Sequence, residues 1–243
     1  MKCLILAAGY ATRLYPLTEN FPKPLLKVKD KTILDWLIED LNSFNVIDEY
    51  YVVTNDRFVE SFNAWNHYDN LKVINDGTNN NESRLGALKD IELVLDSVYI
   101  DDDLLIMAGD NLLDFSLENY INYFKDINTS CVLRFFQSDV EKLKATGVAE
   151  IDDNDLVIHM EEKPKFPKSN WTIPPFYIIK KRDLAYVKKA IREGVNTDAP
   201  GSFIAYLASK VPVHAYKMDG NRYDIGTIES LEEANKTYNG INK

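Results

Sequence analysis

The chain has 243 residues, of which 45% are hydrophobic and 27% are charged, a composition typical of one globular domain. Its formal net charge of −10 has the opposite sign to that of a typical nucleic-acid-binding protein, so no nucleic-acid partner is expected. No apolar run approaches the ~20 residues that cross a bilayer, and no targeting segment is visible, which predicts a cytoplasmic protein without a membrane partner. Cys3 and Cys131 lie in apolar runs and are expected to be buried thiols.

The first half of the chain alternates short apolar runs with amphipathic stretches, the pattern of βα units built on a parallel sheet. Strands are predicted at residues 2–7, 49–54, 71–75 and 104–108. One helix is predicted to follow Thr32, whose hydroxyl can cap it together with Asp35. Another is predicted over residues 84–97, where leucine and isoleucine recur at helical spacing.

The second half becomes richer in strands, which indicates a mixed sheet. Strands are predicted at residues 130–136, 148–151, 157–160 and 176–179, and helices at residues 182–193 and 228–238. No internal repeat or long linker interrupts the chain.

The first predicted strand leads directly into a loop of small residues that can point successive backbone N–H groups at an anion. This predicts a phosphate-binding loop made of Ala8, Gly9, Tyr10, Ala11, Thr12 and Arg13. A plain structural turn that needs its glycine is the alternative. Lys23 follows between two prolines and offers a second cation for the same phosphates, although a solvated lysine in a stiff loop would look the same.

Residues 6–26, LAAGYATRLYPLTENFPKPLL, resemble the signature of the sugar-1-phosphate nucleotidyltransferases, which include glucose-1-phosphate thymidylyltransferases and uridylyltransferases. The resemblance implies a Rossmann-like three-layer α/β/α fold of the GT-A type, with a mixed, mainly parallel central sheet. It also implies one domain over residues 1–243, with residues 1–128 mainly binding nucleotide and residues 129–243 mainly binding sugar phosphate. Arg13 and Lys23 would neutralise the triphosphate during transfer. Ala11 stands where the family usually has a second glycine.

Two further segments are similar to the family's metal-binding motifs. Residues 109–111 read Gly-Asp-Asn, and residues 222–227 read Arg-Tyr-Asp-Ile-Gly-Thr. The resemblance implies that Asp110, also a catalytic residue, and Asp224 hold Mg²⁺, and that Asn111 contributes to sugar-phosphate binding. Two carboxylates suit magnesium, which takes few protein ligands and oxygen donors. On its own, an aspartate at the end of a strand is more often a turn or cap residue.

The segments expected to bind the acceptor and the base are less complete. Residues 161–164 match the family's Glu-Glu-Lys-Pro, so that Gly147, Glu162, Lys163 and Ile173 would contact the sugar phosphate. A proline pair at residues 174–175 replaces the usual Thr-Gly and leaves the sugar open. Asn81 and Gly86 would contact the nucleobase, but the asparagine run at residues 79–81 also suits a polar loop and leaves the base open.

The resemblance thus implies a Mg²⁺-dependent enzyme that joins a nucleoside triphosphate and a sugar 1-phosphate into a nucleotide-activated sugar and pyrophosphate. One alternative is an enzyme like phosphocholine cytidylyltransferase, with a non-sugar phosphate acceptor. Another is a nucleotide-binding relative without turnover. A dinucleotide oxidoreductase is disfavoured because the first loop lacks Gly-x-Gly-x-x-Gly. A homo-oligomer is left open.

Overall fold

The computed structural model describes residues 1–242. The strands are β1 (Lys2–Leu6), β2 (Lys27–Val28), β3 (Lys31–Thr32), β4 (Glu49–Thr54), β5 (Leu71–Asn75), β6 (Leu104–Ala108), β7 (Asn111–Leu113), β8 (Ser130–Phe136), β9 (Gly147–Ile151), β10 (Val157–Glu162), β11 (Trp171–Thr172), β12 (Phe176–Ile179), β13 (Val213–Lys217) and β14 (Arg222–Asp224).

The helices are α1 (Ile33–Ser43), α2 (Val59–Trp65), α3 (Ala87–Ser97), α4 (Glu118–Ile127), α5 (Val140–Lys144), α6 (Ala185–Arg192), α7 (Pro200–Ala208) and α8 (Ile228–Thr237). Short 3₁₀ turns occupy Thr12–Leu14, Lys23–Leu25 and Lys181–Asp183. None of the helices in the described residues has the length and apolar character needed to cross a bilayer.

The chain forms two compact units. The first combines Met1–Arg84, Ala108–Asn119 and the described residues from Asp219 onwards, and the second combines Leu85–Met107 with Tyr120–Met218. The predicted mixed α/β class is confirmed, since both units combine helices with pleated sheet.

The first unit is built on parallel strands in the order β1-β4-β5, with the middle of β1 and β4 fully buried. The capping box predicted for α1 is present, because Thr32 Oγ1 accepts from the N–H of Asp35 at 3.0 Å. A separate antiparallel pair, β7 with β14, sets Asp224 opposite Asn111. This pair is held by an apolar cluster of Val28, Ile33, Leu112, Ile225, Ala234 and Tyr238.

The second unit contains a mixed sheet. Strand β12 lies antiparallel between β6 and β8, β13 runs parallel to β8, and β11, β9 and β10 continue outwards as antiparallel neighbours. Helix α7 packs on β10. Both cysteines, one in each unit, are buried free thiols as expected.

Several predicted boundaries need correction. Helix α3 begins at Ala87 and not at residue 84, because Gly86 has φ +89, a backbone conformation incompatible with a helix. The helix predicted over residues 182–193 is a 3₁₀ turn followed by α6. Strand β10 extends two residues further than predicted and carries Glu162 at its end. Smaller shifts of one residue occur at the ends of β1, β9 and α8.

Candidate active site

The loop after β1 adopts a conformation suited to an anion. Ala11 lies in the left-handed region at φ 45 and ψ 43, and the right-handed 3₁₀ turn Thr12–Leu14 follows at once. A left-handed residue next to right-handed ones turns successive N–H groups toward one point, which forms a concave binding site for negative charge. The structure therefore gives the predicted loop the backbone geometry of a phosphate cradle.

The hydrogen bonds of this loop leave its donors free. Three of its carbonyls accept from side chains of the first unit: Ala7 from Thr54 Oγ1 at 3.2 Å, Ala8 from Asn55 Nδ2 at 3.0 Å, and Ala11 from Thr18 Oγ1 at 2.8 Å. By contrast, the N–H groups of residues 9–13 donate no hydrogen bond to any other described residue. Because backbone donors are rarely left unpaired, this row of N–H groups is suited to bind a ligand.

Gly9 and Tyr10 have different parts in the loop. A Cβ added at Gly9 would meet no atom within 4 Å, so the glycine leaves open space and is not required by packing. The ring of Tyr10 is buried against Phe58, and its hydroxyl lies 3.3 Å from Thr78 Oγ1. The Tyr10 side chain thus anchors the loop to the first unit.

A cleft opens over the loop and is formed by residues of the first unit alone. Its lining comprises Leu6, Ala7, Gly9, Ala11, Arg13, Leu14, Lys23, Pro24, Ala108, Asp110 and Gly226. Arg13 is exposed, whereas the Lys23 side chain is only 8% exposed. Both predicted cations therefore line the same cleft as the loop.

Lys23 is held by the two aspartates that were predicted to bind metal. Its Nζ donates to Asp110 Oδ2 at 2.9 Å and lies 3.9 Å from Asp224 Oδ1. Asp110 precedes β7 and Asp224 ends β14, so the pairing of these two strands brings the carboxylates together. The buried ammonium thus lies between two carboxylates that are themselves open to solvent, being 39% and 59% exposed.

Asn111 and Arg222 complete a closed network around this cation. Asn111 Nδ2 donates to Asp110 Oδ1 at 2.6 Å, and Asn111 Oδ1 accepts from the guanidinium of Arg222. That guanidinium also lies 3.9 Å from Asp224 Oδ2. Both ends of the buried Asn111 amide are used inside the protein, so in this structure Asn111 orients Asp110.

The donor set of this network fits a divalent cation. Two carboxylates within reach of one ammonium can face one metal ion, and Mg²⁺ takes its remaining ligands from water and phosphate oxygens. Within residues 1–242, no three His, Cys, Asp or Glu side chains converge on one point. The fit therefore rests on these two aspartates together with ligand oxygens.

Four of the five residues predicted to bind the acceptor, Gly147, Glu162, Lys163 and Ile173, lie together in the second unit, whereas Asn111 lies in the first. Gly147 of β9 pairs with Glu162 of β10. The N–H of Ile173 donates to the carbonyl of Gly147 at 2.9 Å. The N–H of Lys163 donates to the carbonyl of Thr146 at 3.1 Å. Lys163 is exposed and has φ 51. The positive φ of Lys163, which five other non-glycine residues share, turns the chain directly after β10.

The Glu162 carboxylate stands out in this group because no described residue donates a hydrogen bond to it. Burial raises its pKa above the ordinary value, and the nearby charge of Lys163 lowers it to a smaller extent. A half-buried carboxylate without a protein donor can be satisfied by hydroxyl groups of a ligand.

The residues predicted to contact the nucleobase do not share one environment. Asn81 lies in an exposed loop of the first unit, and its carbonyl accepts from Arg84 at 2.9 Å. Gly86 lies in the second unit at the start of α3, where an added Cβ would be 2.6 Å from the carbonyl oxygen of Thr197. The N–H of Leu88 donates to that same carbonyl at 3.0 Å. Packing against Thr197 is thus one physical reason for the glycine.

Sequence reasoning missed four residues that shape the site. Thr18, Thr54 and Asn55 hold the loop carbonyls, and Arg222 joins Asn111 to Asp224. Arg222 could have been found, because residues two apart on a strand share a face and Asp224 is two residues away. Thr54 and Asn55 each bond a carbonyl 47 residues away, and Thr18 bonds one seven residues away, contacts that no spacing pattern shows.

A row of unpaired N–H groups beside two cations and a pair of carboxylates is an arrangement suited to phosphate groups. The chain belongs to the nucleotidyl transferase family, whose model matches residues 2–240. It is similar to the bifunctional protein GlmU of Methanocaldococcus jannaschii, with 27% identity over 238 residues, which cover 97% of this chain and 54% of that protein. The chain thus spans about half the length of that curated relative.

Solved structures show the same fold. A putative glucose-1-phosphate thymidylyltransferase from Bacillus anthracis, in complex with a sucrose, matches with a TM-score of 0.85 and 23% identity over 100% of this chain and 97% of that one. UDP-glucose pyrophosphorylase complexed with UDP-glucose matches with a TM-score of 0.81 and 20% identity, covering 98% and 97% of the two chains. The predicted family and its α/β fold with a mixed, mainly parallel central sheet are confirmed.

Replacing Ala11 with glycine tests the loop conformation. A left-handed alanine is destabilised by ~1 kcal/mol or more relative to glycine, so Ala11→Gly should raise the free energy of unfolding by about that amount. Chemical denaturation measures the change. The matched control is Ala205→Gly inside helix α7, which should lower the free energy of unfolding by about 1 kcal/mol. A loss of stability from both variants would contradict the left-handed assignment of Ala11.

Proposed function

We propose that the protein transfers a nucleotidyl group from a nucleoside triphosphate to a sugar 1-phosphate and releases pyrophosphate. The observation that carries the proposal is the cleft of the first unit, where free loop N–H groups lie beside Lys23 and its two carboxylates. The names of the similar structures, a thymidylyltransferase and a UDP-glucose pyrophosphorylase, support the same reaction class.

The first unit supplies the groups proposed to bind the triphosphate. The N–H groups of residues 9–13 surround phosphate oxygens, and Arg13 and Lys23 add positive charge. These donors are fixed before the ligand arrives, because the loop carbonyls are already bound by side chains. Such preorganised donors stabilise charge that develops in a transition state more effectively than water does.

Asp110 and Asp224 are the residues proposed to hold Mg²⁺. When bound, the ion would neutralise phosphate charge that otherwise repels the second anionic substrate. Asn111 and Arg222 fix the orientation of the carboxylates.

The second unit supplies the groups proposed to recognise the acceptor. The carboxylate of Glu162 accepts hydrogen bonds from sugar hydroxyls, and Lys163 attracts the phosphate of the sugar 1-phosphate. Gly147 leaves room beside the backbone for the Glu162 carboxylate, and Ile173, whose N–H bonds the carbonyl of Gly147, is proposed as an apolar residue of the same site. Glu162 can accept hydrogen bonds from the hydroxyls of a sugar, whereas the quaternary ammonium of phosphocholine has no hydrogen-bond donor and can pair with it only through charge.

The reaction needs no general base. An oxygen of the sugar phosphate, already ionised near neutral pH, forms a bond to the α-phosphorus, and the bond from that phosphorus to the oxygen bridging to the β-phosphate breaks. Pyrophosphate carries the displaced electron pair away. Catalysis then consists of alignment and charge stabilisation, which are the tasks of Arg13, Lys23 and the loop donors.

A substrate panel tests the proposed function. The common nucleoside triphosphates are each combined with several sugar 1-phosphates and with phosphocholine in the presence of Mg²⁺, and pyrophosphate release is measured. We expect at least one triphosphate and sugar 1-phosphate pair to support sustained turnover. If pyrophosphate is released with phosphocholine and with no sugar 1-phosphate, the proposed acceptor class is wrong. If no pair releases pyrophosphate, the proposed enzymatic function is wrong.

Asp110→Asn separates catalysis from binding. The amide keeps the shape of the side chain but removes the charge that faces Lys23 and the proposed metal, so turnover should fall by about 10²-fold or more. Steady-state pyrophosphate release on the best substrate pair measures the loss. The matched control is Asp114→Asn. Asp114 follows β7, its carboxylate accepts from the N–H and the side-chain amide of Asn221, and it is not among the residues that line the cleft. Near wild-type turnover of Asp110→Asn would contradict its assignment.

A further inference from the structure

Helix α7 carries a glycine in its first turn, where the side chain of Glu162 comes very close. A Cβ built on Gly201 would lie 2.0 Å from Oε2 of Glu162 and 3.1 Å from its Cδ. An ordinary contact between carbon and oxygen requires well over ~3 Å. Alanine at position 201 would therefore occupy the place that the carboxylate now holds.

The backbone of Gly201 gives no reason for glycine. Its φ is not among the positive values of the chain, and helix α7 extends over nine residues from Pro200. Alanine is the more favourable residue in a helical conformation. The obstacle to alanine is thus the carboxylate of Glu162, together with the methyl carbon Cε of Met160 at 3.3 Å from the added Cβ.

A second glycine, on strand β9, lies close to the same oxygen. A Cβ built on Gly147 of β9 would lie 2.9 Å from Glu162 Oε2 and 2.6 Å from Met160 Cε. One carboxylate oxygen thus lies against two positions without side chains, one on a strand and one on a helix. We refer to the space left by Gly147 and Gly201 as the two-glycine slot.

The slot limits the position of Glu162, but it gives the carboxylate no donor. Within residues 1–242, no group donates a hydrogen bond to the Glu162 carboxylate, and Lys163 is its nearby charge. The carboxylate is therefore placed by shape and left free to accept from a ligand.

We propose that Gly201 is a positioning residue for the acceptor, because its missing side chain sets where the Glu162 carboxylate meets the sugar hydroxyls. The inference rests on the proposed function for the identity of the ligand. The position of Glu162 against Gly201 is independent of that identity.

The variant Gly201→Ala tests the proposal kinetically. The Glu162 oxygen must move by more than ~1 Å, and a displacement of this size weakens a directed interaction strongly. We expect the KM for the sugar 1-phosphate to rise ~10-fold or more, while the KM for the triphosphate stays unchanged. The control is Ser202→Ala in the same helical turn, which should change neither value.

A double-mutant cycle with Glu162→Ala adds a test of the slot by thermal stability, which does not depend on activity. With the carboxylate removed, Gly201→Ala should raise the thermal midpoint by ~2–4 °C through helix propensity, and it should not raise the acceptor KM further. With Glu162 present, the rise in midpoint should be smaller or absent.

Three outcomes would overturn the proposal: an unchanged acceptor KM in Gly201→Ala, equal midpoint shifts in both backgrounds, or failure of Gly201→Ala to fold. Failure of the proposed function appears differently. In that case wild-type protein shows no pyrophosphate release with any sugar 1-phosphate, and the midpoint cycle alone decides whether Gly201 positions Glu162.

Discussion

The ammonium of Lys23 is almost fully buried, and a buried charge is strongly unfavourable unless anions compensate it. Asp110 and Asp224 provide that compensation from segments that are far apart in the sequence. The antiparallel pairing of β7 with β14 makes this possible, and the Asn111 amide holds one carboxylate in place. This part of the first unit depends on that requirement, because the three side chains that balance each other are also the ones proposed to face the phosphates.

In the phosphate loop, backbone groups are compensated by hydrogen bonds in the same way as the buried charge is compensated by carboxylates. The carbonyls of Ala7, Ala8 and Ala11 accept from side chains of Thr54, Asn55 and Thr18, whereas the N–H groups of residues 9–13 donate to no described residue. The left-handed Ala11 is what turns these donors together. Unfavourable backbone conformations that persist at a site are generally held by their surroundings, and the bond from Thr18 to the Ala11 carbonyl has that effect here.

Local chemistry in the sequence was enough to predict the main strands, the Thr32 cap and the class of the fold, because each depends on neighbouring residues. Helix α7 was missed because it is apolar on most sides, a pattern that does not separate helix from strand. Motif resemblance also grouped Lys23 with both aspartates, and the Lys23 ammonium lies 2.9 Å from Asp110 and 3.9 Å from Asp224. It could not show that Gly86 packs on Thr197 or that Gly201 faces Glu162, since those contacts are made only in the folded chain.

The central claim is that Lys23 serves as the buried cation of nucleotidyl transfer and not as a structural lysine. The most direct test is the single-turnover rate of pyrophosphate release by Lys23→Met, measured with saturating substrates and Mg²⁺ beside thermal unfolding of the same variant. We expect the rate to fall by about 10²-fold or more while the protein stays folded. A folded Lys23→Met variant that releases pyrophosphate at the wild-type rate would contradict it.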